Sequence, residues 1–261
     1  MERVRVGPEN RLPLLGVRAG DLPDRFIVVG DPARAERVAD DLEDPQELGR
    51  FREYVVFRGR YRGVAVGVAS HGVGSPGAAV CFEELCRAGV GQIIRAGTCG
   101  GVQPQLRDGD LVVATAAVRG EGLTARVVPP TYPAVASHRA VAALLDATAR
   151  SGRSFHEGVV LTADLFYPHS VLGSDLELWQ RAGVVGVEME CAALFVLAAQ
   201  HGVGAGAILA VDGNSLAEGD KDMTGYDPHR PVVTDAVEAM IDIALEALLA
   251  LDVPSLSRSD N

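Results

Sequence analysis

Apolar and polar positions fall into blocks along the chain, and the blocks differ in length and period. Short runs rich in β-branched residues predict strands at 25–29 (RFIVV), 54–58, 63–69 (GVAVGVA), 92–95, 110–114, 158–162, 184–187 and 206–211. Longer stretches with apolar residues at helical spacing predict helices at 33–42, 77–88, 137–151, 176–182, 190–200 and 234–251. Strand and helix alternate over nearly the whole length, as in a largely parallel sheet covered by helices. No repeat, low-complexity tract or linker interrupts the series, which predicts one domain over 1–261 with its core at about 15–251. The tails 1–12 and 253–261 are expected to be loosely ordered.

Composition narrows the class. The chain has 261 residues, 48% hydrophobic and 23% charged, enough to bury a sizeable core. Its apolar runs fall short of the ~18 residues that a membrane span needs, and its opening residues do not read as a signal peptide, so neither a span nor a leader is expected. Cys81, Cys86, Cys99 and Cys191 lie in apolar segments without metal-ligand spacing, so they read as reduced thiols of a cytoplasmic protein that binds no metal. The net charge of −11 argues against a nucleic-acid partner, which would need a basic face. It leaves small anions open, because a few local arginines can override the global sign.

Ligands of open α/β sheets bind beyond strand ends, so the strand-to-helix junctions are where chemistry is expected. The first, Gly30-Asp31-Pro32-Ala33-Arg34, combines a glycine, a helix start and a cation, which suits an anion or an ordinary capped helix. The second, His71 to Gly77 (HGVGSPG), is glycine-rich but has neither P-loop nor dinucleotide spacing. In the third, Gln92 to Gly101 (QIIRAGTCGG), Arg95 ends an apolar strand. A charge there needs a partner, either a structural carboxylate or a bound anion helped by Thr98 and the glycine amides. The fourth, Val187-Glu188-Met189-Glu190, sets two carboxylates around a methionine at the mouth of an apolar helix. Such a pair can accept from vicinal hydroxyls above a soft thioether floor, or simply complement the helix dipole.

Taken in order, VVGDPAR, FREY, HGVGSPG, IIRAGTCGG, DLFY and VEMECAAL give a sequence that resembles the nucleoside phosphorylase-I family from about Leu15 to Leu251. That family includes uridine phosphorylase, hexameric purine nucleoside phosphorylase and methylthioadenosine phosphorylase. The resemblance implies a single α/β domain with a central mixed, partly barrelled sheet, assembled as a trimer-of-dimers homo-hexamer. It implies phosphate-dependent cleavage of a nucleoside to free base and pentose 1-phosphate, with inorganic phosphate as co-substrate and no metal or organic cofactor. Gly30, Arg34, Arg95 and Thr98 would then hold phosphate, and Arg52 would reach the neighbouring subunit's phosphate. Phe166 would stack on the base, Met189 and Glu190 would hold the ribose, and Glu188 would join the nucleoside site. Arg95, Glu190 and Asp212 are the expected catalytic residues.

Departures from the family pattern leave the base open. Ser170 and Leu172 stand where bacterial uridine phosphorylases read uracil with glutamine and arginine, and His169 is a nearby substitute. Purine enzymes carry a leaving-group aspartate where this chain has Gly213; Asp212, one position earlier, takes the role only if the loop is re-registered. Leu14 falls where many relatives place a histidine for the neighbour's 5′ hydroxyl. Gly77 replaces the serine that accompanies Glu53 in relatives with a monovalent cation, so that ion is not expected. Lys221 and Arg230 lie in a polar segment suited to covering the base. Trp179 reads as core or interface, and His138, His156 and His201 as surface or helix-end residues. Two rivals remain: a nucleosidase of the same fold, which needs no arginine clamp, and a silent nucleoside-binding protein, which any turnover excludes.

Overall fold

The computed structural model describes residues 5–167, 171–216 and 226–252. Its strands are β1 (Arg25–Val29), β2 (Glu43–Phe51), β3 (Tyr54–Tyr61), β4 (Val64–Ser70), β5 (Gln92–Gly101), β6 (Leu111–Gly120), β7 (Ala134–Val135), β8 (Phe155–Ala163), β9 (Gly186–Glu188) and β10 (Gly204–Asn214). The helices are α1 (Pro32–Asp40), α2 (Ser75–Arg87), α3 (Thr124–Val127), α4 (His138–Ser151), α5 (Leu176–Arg181), α6 (Cys191–His201) and α7 (Pro231–Ala250). All the strands join one sheet.

The sheet is mixed rather than largely parallel. β5, β10, β6, β8 and β9 pair in a ring that closes when β9 meets β5, forming a five-stranded barrel. Closure removes the unpaired edges of those strands. From β5 the sheet continues through β1 and β4 in parallel, then β3 and β2 as antiparallel hairpins.

Helices cover both faces. α6 is apolar on every side, and Cys191 to Ala198 are all buried between the barrel and α2. α1, α4 and α7 bury their apolar stripes on the opposite face, where Met240, Ile241, Ala244 and Leu248 meet Ile94 and Ile208.

Several boundaries differ from the sequence pattern for physical reasons. β2 (EDPQELGRF) was not expected because it is polar and contains proline; it is an edge strand without a buried residue. β5 and β10 run on through their glycine-rich ends because those ends pair with each other, Gly100 with Gly213 and Gly101 with Asn214. Residues 5–12 are tied down rather than loose: Val6 N–H donates to Arg87 O over 3.0 Å, and Leu12 is buried. The tail 253–261 lies outside the described residues. Trp179 sits on α5 half-exposed, its indole N–H donating to Asp175 over 2.7 Å, rather than in the core. Among the described residues no helix is long and apolar enough to cross a membrane.

Candidate active site

A cavity of about 970 Å³ opens where the ends of β1, β8, β9 and β10 converge on the middle of β5. Gly30, Arg34, Arg95, Thr98, Phe166, Glu188, Met189, Glu190 and Asp212 line it together. Five separate chain segments thus meet at one place, three of them junctions expected from the sequence.

At the end of the cavity lined by Gly30 and Arg34, α1 starts with Asp31 as its N-cap, whose carboxylate accepts from Ala33 N over 2.9 Å, and with Pro32 in the first turn. The helix N-terminus and Gly30 both face the cavity. Arg34, one turn in, has no carboxylate within ion-pair distance among the described residues. Burial lowers its pKa, and the nearby positive charge of Arg95 lowers it further. A cation held in that environment favours an anionic ligand.

Arg95 has its partners within the protein. Its Nη2 donates to Glu190 Oε2 over 2.5 Å and to Glu188 Oε2 over 3.3 Å, with all three side chains almost fully buried. Burial alone would lower the arginine's pKa, but the two carboxylates more than reverse that and keep it cationic. Gly97 makes room for it, because a Cβ there would collide with the Arg95 guanidinium, which its two ion pairs hold in place.

The two glutamates divide their work. Glu188 accepts from Glu190 N over 2.8 Å, from Cys191 N over 2.9 Å and from Thr162 Oγ1 over 2.6 Å. Those bonds satisfy amides at the start of α6 and leave the Glu188 side chain enclosed, so it acts as an anchor rather than a free acceptor. Glu190 bridges to the glycine-rich turn, where Gly74 N–H donates to its Oε1 over 2.6 Å. Burial raises the Glu190 pKa, and Arg95 partly offsets this.

The register question at Asp212 has a structural answer. The β10–β5 ladder pairs Val211 with Cys99 and then Gly213 with Gly100, so Asp212 is the extra residue of a β-bulge. A bulge re-aims its side chain, and Asp212 lines the cavity although Gly213 occupies the ladder position. Burial raises the Asp212 pKa, while hydrogen bonds from Tyr226 and Thr98 pull it down. Tyr226 OH lies 2.8 Å from Asp212 Oδ2. Arg230 Nη2 donates to the Asp212 carbonyl over 2.7 Å, and its Nη1 pairs with Asp108. Arg230 therefore braces the bulge as well as lining the cavity.

Other expected residues lie elsewhere. Arg52 is exposed at the β2–β3 turn with φ of 56°, its guanidinium 5.5 Å from the Phe51 ring centroid, and does not line this chain's cavity. Glu53, beside it, does. Leu14 is half-buried against the core and also outside the cavity. Leu172 is 91% exposed, while His169, Ser170 and Lys221 lie outside the described residues. His138 is exposed at the start of α4; His156 and His201 sit near Asp110 and Glu83. Tyr226 went unnoticed in the sequence because it belongs to no motif and lies fourteen residues from its partner. His71, in the glycine-rich turn, is wholly buried and packed edge-on against Phe82; burial and Arg95 keep it neutral.

Comparison with known proteins shows the family and the fold. The model of the Phosphorylase superfamily matches residues 24–250. A guanosine phosphorylase of Halorubrum lacusprofundi is 38% identical over 92% of this chain and 98% of that relative. A uridine phosphorylase of Treponema pallidum is 36% identical over 87% of the chain and 93% of its own length. Among solved structures, a Toxoplasma gondii purine nucleoside phosphorylase in complex with immucillin-H superposes with a TM-score of 0.87. It is 38% identical and covers 93% of this chain and 96% of that one. The chain belongs to the Phosphorylase superfamily, within the nucleoside phosphorylase-I family that its motifs resemble. It is an enzyme, a nucleoside phosphorylase, with its base preference left open by relatives of both kinds.

Proposed function

We propose that the chain cleaves purine nucleosides with phosphate, and the bulge that aims the Asp212 carboxyl into the cavity carries this reading. A purine leaves more readily when its N7 is protonated, and a carboxyl with a raised pKa is suited to donate that proton. The relatives named guanosine phosphorylase and purine nucleoside phosphorylase support the same base class.

Gly30, the α1 N-terminus, Arg34, Arg95 and Thr98 hold hydrogen phosphate below the sugar. Glu190 accepts from the ribose hydroxyls, Met189 lies against the ring and Phe166 covers the base. As the C1′–N9 bond breaks, its electron pair passes to the purine and Asp212 protonates N7. The phosphate anion stabilises the oxocarbenium-like sugar as one of its oxygens bonds to C1′. The proton lost by hydrogen phosphate restores the carboxyl through solvent, so the reaction balances. No metal or organic cofactor enters this scheme.

The four buried free thiols suit a reducing, cytoplasmic setting, and nucleoside salvage is the fitting role. Arg52 completes the phosphate site of a neighbour in a homo-hexamer.

Release of free base from guanosine, inosine, adenosine, methylthioadenosine and uridine, each with and without phosphate, tests the reading. Purine release that requires phosphate, and falls about 10²- to 10⁴-fold in Asp212→Asn, is expected. Preferred release from uridine, unaltered in the variant, would overturn the base assignment. Release without phosphate would make the enzyme a hydrolase.

A further inference from the structure

The bulge that aims Asp212 is fastened from a segment that no motif marks. Tyr226, on the approach to α7, donates its phenol hydrogen to Asp212 Oδ2 over 2.8 Å. The same ring meets Phe166 edge to face, with centroids 5.6 Å apart and planes at 74°. Tyr226 and Phe166 both line the cavity. One side chain therefore touches the carboxyl at one end of the base site and the aromatic ring at the other. Burial and the Asp212 carboxylate push the phenol's own ionisation up, so it stays a donor at neutral pH. We propose that Tyr226 is a positioning residue for leaving-group protonation, holding the Asp212 carboxyl in aim while it seats Phe166 against the purine.

This inference rests on Asp212 being the acid. Asp212 is also faced by the Thr98 hydroxyl on β5, by Arg34 on α1 and by the Cys99 thiol, while Arg230 holds its carbonyl. Loss of the Tyr226 hydroxyl removes one donor that favours the ionised carboxylate. The carboxyl then keeps its proton to higher pH, and the alkaline limb of turnover moves upward. Loss of aim lowers the rate at the same time.

The test uses the full chain with Tyr226→Phe, measured with guanosine and 7-methylguanosine at saturating phosphate across the neutral pH range. The second substrate already carries a positive charge at N7, so its departure needs no proton. The expected result is a fall of about tenfold in kcat on guanosine, an alkaline limb at higher pH, and unaltered kcat on 7-methylguanosine. Tyr226→Ala, which also removes the ring, should in addition raise KM for both nucleosides. Equal losses of kcat on both substrates in Tyr226→Phe would show a packing role only and overturn the proposal. So would an unaltered rate and pH profile. Asp212→Asn with full guanosine turnover would remove the acid itself, and the proposal with it, a failure recognisable without any Tyr226 variant.

Discussion

Replacing Arg95 with methionine puts a number on the buried charge cluster. The arginine side chain is 4% exposed, and its partners Glu188 and Glu190 are 0% and 6% exposed. Removing one partner of a buried ion pair costs about 3–5 kcal/mol, because the other charge is left uncompensated. Methionine keeps much of the aliphatic stem, so the added cavity is small. Glu188 retains its amide and hydroxyl donors, and Glu190 retains the Gly74 amide, which places the expected loss near the lower figure. For a chain of this size ~3 kcal/mol lowers Tm by about 6–12 °C, with both proteins measured at equal concentration.

The loss should depend on pH in a defined direction. Burial already raises the Glu190 pKa, and Arg95 is the strongest force holding it down. Without Arg95 the folded-state value rises further above the unfolded one, so the folded protein binds more protons. A carboxyl of that kind stabilises the fold at low pH and loses the contribution as pH climbs through the folded value. Thermal and urea melts of both proteins should therefore differ least in acid and most near neutrality. A gap below ~1 kcal/mol, or one that does not change with pH, would refute the assignment of Arg95 as the counter-charge of two buried carboxylates.

The remaining arginines should behave differently. Arg34→Ala breaks no ion pair among the described residues and relieves repulsion with Arg95, so it should destabilise far less than Arg95→Met. KM for phosphate should rise about 10- to 100-fold, the worth of charge-assisted hydrogen bonds to the anion; a destabilised variant with unchanged KM would contradict this. Arg52→Ala should also raise the phosphate KM, since the exposed turn that carries Arg52 would serve a second subunit. Sedimentation showing an active monomer would sink that sharing.

Strong apolar periodicity made most elements legible: β1, β3, β4, β8, β9, α1, α2, α4, α5, α6 and α7 follow the pattern within a few residues. What stayed hidden depended on distant pairing. β2 has no buried face to leave a hydrophobic trace, and the glycine-rich ends of β5 and β10 are strands only because each is the other's partner. At the site, residue types at strand ends singled out Gly30, Arg34, Arg95 and Glu190, the family resemblance added Phe166, and all five line one cavity. Local spacing could not show that Asp212 sits on a bulge, because two-residue alternation assigns it to the opposite side from the cavity-facing position. Tyr226 was less accessible still, since it belongs to no motif and its partner Asp212 lies fourteen residues away.

The pair of glutamates around Met189 shows how one motif can hold two physically different jobs. Residues two apart on a strand share a side, so sequence alone sees two equivalent carboxylates near a ligand. The chain leaves its strand between them. Glu188 is the last residue of β9, and Glu190 is the N-cap position of α6. Amides at the start of a helix need acceptors, and the nearest carboxylate is the one just before the turn. Glu188 takes that role and also accepts from Thr162, whose hydroxyl in turn accepts from Ala192 N over 2.9 Å. The helix start is thereby locked to β8, and Glu190 is presented toward Arg95 and Gly74 by an anchored backbone. Exchanging the chemistry of the two positions would not preserve the site, because one carboxylate is consumed in fixing where the other points.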